Sequence, residues 1–517
     1  MRGTLTRRVV WLASAKGVAF ALGFALPLIL VRSLSQTEFG LYKQVFLLVN
    51  TAITILPLGF AMSAFYFLPR CGDRQGRVVF NIALFHLLVA GLASLALLLR
   101  PSLLEAIFGS HALVPYAPGL ALLAFLAVAA SFLEIIAVGN GEVALAARLI
   151  VVTYVSKTLL LVGAAWLVPT VEALITAATL HCLVQAGILV WYLESRFPRF
   201  WAAGDWQVMR AQLGYALPLG AAAILSMAQL DLHNYFVARS FDAATFAIYA
   251  VGCFQLPFLQ IVAESVGGVM IPAVGRLQLE GERREIVELL ARMVRMLAAL
   301  YFPVYACLLV VGREFVTVLF TESYRGSWPI FAVNLTLIPL GILTSACDPV
   351  LRAYPAYTSI LVRIRVALVA VLVLGLWSVT ARHWLLGAIV VMVSVNAVDR
   401  VAVSLMLTRV LKVTRRDLAL FGDVAKLAAA AAVAGVIAAV VRLLVGAGGA
   451  LVVLAASGAA FATVYVASVW ALGVVTVAER NALRRRALAC LVRLGLGRRE
   501  PALADVGVRT RRAGLEP

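Results

Sequence analysis

RSLSQTEFGLYKQV, residues 32–45, is a short polar interruption between two long apolar runs, and it returns in the second half as RSFDAATFAIYAVG, residues 239–252. Aligned without a gap, the two segments match Arg32 with Arg239, Ser33 with Ser240, Phe39 with Phe246 and Tyr42 with Tyr249. Each copy lies between the first and second helix of a six-helix set. An even number of spans separates them, so both halves enter the membrane in the same direction, as parallel repeats about an axis along the membrane normal do.

Around this connector the chemistry is local. Ser35 and Glu38 stand at capping-box spacing, so Ser35 is expected to cap the second helix while Glu38 reaches back to it; Asp242 is the matching cap in the second copy. Phe39, Tyr42, Phe246 and Tyr249 suit the aromatic belt at the outer face of a bilayer.

The rest of the chain agrees with a membrane reading. Of 517 residues, 63% are hydrophobic and only 13% charged, too little polar surface to cover a water-soluble globule. Apolar stretches of about 20 residues, enough to cross the hydrocarbon as helix, recur from end to end. The fold class is all-α and polytopic, with fourteen transmembrane helices: a bundle over 1–212, a second over 213–422, two further helices in 423–477 and a basic tail over 478–517. Placed on those spans, most of the 44 Lys and Arg fall on the side that holds both termini. That side is therefore expected to be cytoplasmic, and the net charge of +19 follows from topology rather than from a nucleic-acid surface. In the tail, Arg484, Arg485 and Arg486 fit either a surface helix or a solvated segment.

Six cysteines without CxxC or Cys/His spacing predict no disulfide framework and no metal site. No cofactor is called for.

Ionisable residues inside spans are costly and mark cavities or partners. Lys157 lies about 12 Å along the fifth helix, too deep for easy snorkelling. Lys16 lies about 10 Å into the first. Both are candidate cavity cations for an anionic substrate, and Arg32 and Arg239 at the ends of helices 1 and 7 are weaker ones, better read as interfacial anchors. Asp231, within QLDLHNY, shares a helix face with Asn234 and is a candidate ion-coupling group or a helix–helix contact. Glu264 and Asp399 are further candidates, although Arg400 beside Asp399 also fits a structural cluster. Asp348 and Arg352 have the spacing of a local ion pair, Glu134 sits near a helix end, and His86, His181 and His233 lack metal-ligand spacing.

RSLSQTEFGLY, with LLVNTAITILPLGFAMSAFYFLPR (47–70), LPLGAAAILSMAQLDLHNYFVARSFDAATFAIYAV (217–251) and VLRAY (350–354), resembles the polysaccharide-export branch of the multidrug/oligosaccharidyl-lipid/polysaccharide transporter superfamily, the Wzx-type flippases. The resemblance spans essentially residues 5–477. It implies two MATE-like six-helix bundles facing each other across a cavity, with two appended helices. It also implies ion-coupled, alternating-access transfer of an undecaprenyl-diphosphate-linked oligosaccharide across the bacterial inner membrane, for surface or exopolysaccharide assembly. The partners would be that lipid-linked substrate, membrane lipids and glycan-assembly proteins. A drug or cation antiporter of the same superfamily, a membrane-embedded glycan polymerase or ligase, and a non-transporting scaffold are the other readings. The longest expected outer loops, 100–115 and 313–328, offer no convincing acid/base pair, so the chain is not expected to be an enzyme.

Overall fold

The computed structural model describes residues 2–474 other than Ala203 and Ala447. Residues 475–517, with the expected basic tail, lie outside it. Among the described residues, twelve helices are long and apolar enough to cross a membrane, and two bent pairs bring the number to fourteen.

The first six are α1 (Arg2–Ser33), α2 (Gln36–Ile55, continued by Phe60–Phe67 after a 45° bend), α3 (Gln75–Leu99), α4 (His111–Gly139), α5 (Val143–Leu167) and α6 (Val171–Arg196). The next six are α7 (Trp206–Ser240), α8 (Ala243–Gly252 and Pro257–Glu280), α9 (Arg283–Phe320), α10 (Glu322–Asn334, bent by 41° into Leu337–Leu351), α11 (Thr358–Thr380) and α12 (Leu385–Val410). Finally α13 (Arg415–Leu444) and α14 (Ala450–Ala471) pack on one another and on α9.

The packing repeats with the sequence. In the first half α1 packs on α5 and α3 on α4; in the second, α7 packs on α11 and α9 on α10. The halves meet where α2 crosses α8. A side chain at Gly40 would collide there with the backbone carbonyl of Ala243, so only glycine lets the two helices approach this closely.

Local rules explain the breaks. Pro57 follows the first segment of α2, and Leu58 and Gly59 take left-handed conformations with φ of 48° and 67°. Pro257 restarts α8 after the interruption at Cys253–Leu256. The ninth helix, α9, runs for 38 residues, and its polar first turns extend well beyond its apolar stretch.

Two expectations for the connector are corrected. Ser35 accepts from the Glu38 backbone at 3.2 Å and Asp242 from Thr245 at 2.7 Å, but the Glu38 carboxylate turns away from its own helix and accepts the Val171 N–H at 2.5 Å, tying the start of α6 to α2. Phe39, Tyr42, Phe246 and Tyr249 do not face lipid; all four are buried where the halves meet, and Phe39 stacks edge-on against Tyr324. Aromatic rings at a helix end satisfy either environment, and here helix packing takes them: Phe39 meets Tyr324 of the other half, and Tyr249 meets His233 of its own.

Candidate functional site

Between the halves, α1, α2, α5, α7 and α8 enclose a cavity of about 290 Å³, lined by Tyr42, Lys43, Asn50, Lys157, Thr158 and Asn234 among others. Pro27, within α1, forms part of its wall. Two ammonium groups reach it from one half. Lys43 Nζ stands 5.3 Å from the ring centre of Phe39, and Lys157 Nζ 5.3 Å from that of Phe46. No ion pair or hydrogen bond holds either lysine among the described residues. Aromatic faces attract a desolvated cation but do not cancel its charge, so the cavity offers two positive charges to an anion. At the position of the repeat that matches Lys43 stands Ala250, which lines the same cavity.

Lys157 was legible as a deep lysine. Lys43 was missed because it falls in the polar interruption at 32–45; the cap at Ser35 is the signal that starts the second helix at Gln36 and carries Lys43 two turns inside.

Successive residues of α7 serve three neighbours. His233 Nδ1 and the Tyr249 hydroxyl are 2.7 Å apart in a buried contact with α8. Asn234 faces the lysine cavity. The Tyr235 hydroxyl lies 2.6 Å from Thr51 Oγ1 and 3.2 Å from the Leu47 carbonyl, on α2. Asp231, half-buried one turn before Asn234 on the same face, has no hydrogen bond or ion pair among the described residues.

The other candidates are dispersed. Lys16 Nζ is 3.6 Å from Glu134, both half-exposed. Glu264 is exposed and accepts from Gln260 at 3.2 Å. Asp399 is 1% exposed, with Arg365 and Arg400 each 3.4 Å away. Asp348 does not pair with Arg352 as its spacing suggested; its nearest cation is Arg365 at 4.0 Å. Arg365 was not singled out from the sequence, and the structure makes it the bridge between two carboxylates, which mutual charge pairing makes tolerable inside the bundle.

Arg32 and Arg239 act on backbone. Arg32 donates to the carbonyls of Leu28, Leu319 (2.8 Å) and Val318 (2.9 Å), near the C-terminus of α9. Arg239 donates to Ala106 at 2.5 Å, in the short helix Ser102–Phe108 that follows α3. Arg239 also borders a second cavity of about 800 Å³ at this connector end of the bundle, with Tyr235, Phe236, Ser240, Trp377 and His383. At the opposite end Asp205 caps α7 and receives Arg77 at 2.6 Å; that hydrogen bond, first among several, holds the Asp205 carboxyl below the ordinary carboxylate range.

Fold comparison identifies the class. The inward closed conformation of the lipid II flippase MurJ superposes with a TM-score of 0.68 at 11% identity, covering 90% of this chain and 99% of that one. A transporter of the multidrug/oligosaccharidyl-lipid/polysaccharide superfamily from Pyrococcus furiosus gives 0.56 at 16% identity over 79% and 96%. The Vibrio cholerae MATE transporter VcmN gives 0.53 at 15% identity over 80% and 98%. No curated protein sequence matches. The chain is thus a multi-pass membrane protein with the fold of flippases and multidrug transporters. A family model described as "Polysaccharide biosynthesis protein" matches residues 29–329, and the chain belongs to that family.

Proposed function

We propose that this protein is a flippase that moves an undecaprenyl-diphosphate-linked oligosaccharide across the bacterial inner membrane for surface or exopolysaccharide assembly. Both termini are cytoplasmic and the connector end faces the periplasm. The halves rock about the α2–α8 crossing to expose the cavity to each side in turn. Asp231, one turn from the cavity residue Asn234 and without a hydrogen bond or ion pair among the described residues, is the ion-coupling group; Lys16, bound to Glu134, is a secondary cation.

The observation that carries the reading is the pair Lys43 and Lys157 lining one cavity, with no carboxylate partner among the described residues. A diphosphate diester carries two negative charges, which two ammonium groups neutralise as point charges. The family description, and a flippase and transporters as structural neighbours, support transport rather than catalysis. A drug or cation antiporter would place acids, not lysines, at the centre of the cavity.

The test is transfer of a fluorescent polyprenyl-diphosphate saccharide between leaflets in liposomes holding the purified protein. Wild type is expected to translocate it without lengthening it. Lys43→Ala and Lys157→Ala should each slow transfer about tenfold or more, the loss of one charge-assisted contact. Normal rates in both variants, or a lengthened product, would overturn the proposal.

A further inference from the structure

The larger cavity at the connector end has no part in neutralising a diphosphate on Lys43 and Lys157, yet its walls are chemically specific. Trp377, from α11, is 68% exposed and presents an indole to it. Arg239 anchors one Nη on the Ala106 carbonyl, and the rest of its guanidinium has no hydrogen bond among the described residues. His383 takes a left-handed backbone with φ 52°, its N–H donates to the Thr380 carbonyl at 2.9 Å, and its ring meets Phe241 edge-on at 5.9 Å. A non-glycine residue in that region costs energy, so the surrounding structure holds the imidazole where it is. Ser240 adds a hydroxyl, and among the described residues no Asp or Glu lines the cavity.

An exposed aromatic face beside a guanidinium fork and an imidazole, without acids, is the chemistry that receives a sugar ring bearing a carboxylate or phosphate. The C–H face of the ring lies on indole, and the oxyanion takes the fork. A volume of about 800 Å³ accommodates a ligand of several rings. Its position fits as well: Asn234 and Tyr235, neighbours on α7, open one on the lysine cavity and the other on this one. We infer that this cavity is a subsite for an acidic saccharide unit of the transported glycan, held by Arg239, His383 and Trp377 while the diphosphate occupies the lysines. The inference rests on the flippase reading and extends it to the substrate's sugar composition.

Binding can be measured apart from transport. The purified protein in phosphatidylcholine nanodiscs is titrated with a soluble tetrasaccharide containing glucuronic acid and with its carboxyl-reduced counterpart, reading tryptophan fluorescence. The acidic sugar should bind about tenfold more tightly, as expected when one charge-assisted contact is added. Trp377→Phe should remove most of the signal, Arg239→Gln and His383→Gln should weaken binding, and Arg239→Lys should retain part of it at unchanged thermal stability. Lys157→Ala should leave it intact. Equal affinities, no saturable signal, or an acidic-sugar signal that survives Arg239→Gln would overturn the inference. So would a signal produced by phosphatidylglycerol nanodiscs that the sugar does not compete away, which would assign the cavity to a lipid phosphate. Acidic-sugar binding without leaflet transfer would overturn the flippase reading alone; normal transfer without sugar binding would overturn the subsite alone.

Discussion

Arg32, in the last turn of α1, donates through Nη2 to the carbonyl oxygen of Val318 at 2.9 Å. Arg239, its counterpart in α7, donates to Ala106. Val318 and Ala106 each stand two residues before a phenylalanine, Phe320 and Phe108, that ends its helix. Each half thus places an arginine on the C-terminal carbonyls of a helix in the other, where the helix dipole favours a cation.

These two contacts should hold the connector end closed. Replacing Arg32 and Arg239 together by Ala removes charge-assisted hydrogen bonds worth about 1.5–3 kcal/mol each. Spin labels on opposite halves at that end, read by double electron–electron resonance, should then show a larger population at long separation. An unchanged distance distribution would sink the idea.

Lys43 trades stability for its position. A desolvated ammonium without a carboxylate destabilises the fold, so Lys43→Met should raise the unfolding free energy by about 1–3 kcal/mol while lowering leaflet transfer. Calorimetry beside the liposome assay separates the two; a loss of both would mean that Lys43 is structural.

The α2–α8 crossing admits no side chain at Gly40. Gly40→Ala should destabilise by about 1–3 kcal/mol or reduce folded yield, because the opposing atom is the Ala243 backbone, which cannot swing aside. Gly91→Ala, with nothing within 4 Å of the added methyl, is the control and should be near neutral or stabilising. Equal effects would contradict the close approach.

Acid should loosen the end opposite the connectors. The Asp205 carboxyl titrates below its ordinary value of 3.8, chiefly through its bond from Arg77, so its stabilising contribution is complete above about pH 4 and fades as pH falls further. Asp205→Asn should lower the melting temperature at pH 7 and reduce its dependence on pH below 4. Parallel melting curves for wild type and variant down to pH 3 would refute it.

The span count, the duplicated halves and the deep lysine were legible because hydropathy, repetition and cost of burial are properties of a segment taken by itself. What was not legible depends on which segment faces which. Phe39 and Tyr42 have the composition of a lipid-facing belt, and the crossing of α2 and α8, with Tyr324 from α10 against Phe39, buries them. Asp348 has a local partner by spacing, yet Arg365 arrives from the next span. Lys43 shows a third case, in which the apolar run and the helix cap disagree on where the helix starts, and the cap is right.

The duplication matches Lys43 with Ala250, both lining the cavity, so the cavity is built on a near-twofold frame but charged in one half only. A cavity with lysine at both positions would accept an anionic head group in two poses related by half a turn. With alanine at the matching position, that degeneracy is gone: the head group leans toward α2 and α5, and whatever chain it drags behind is sent out toward the other half.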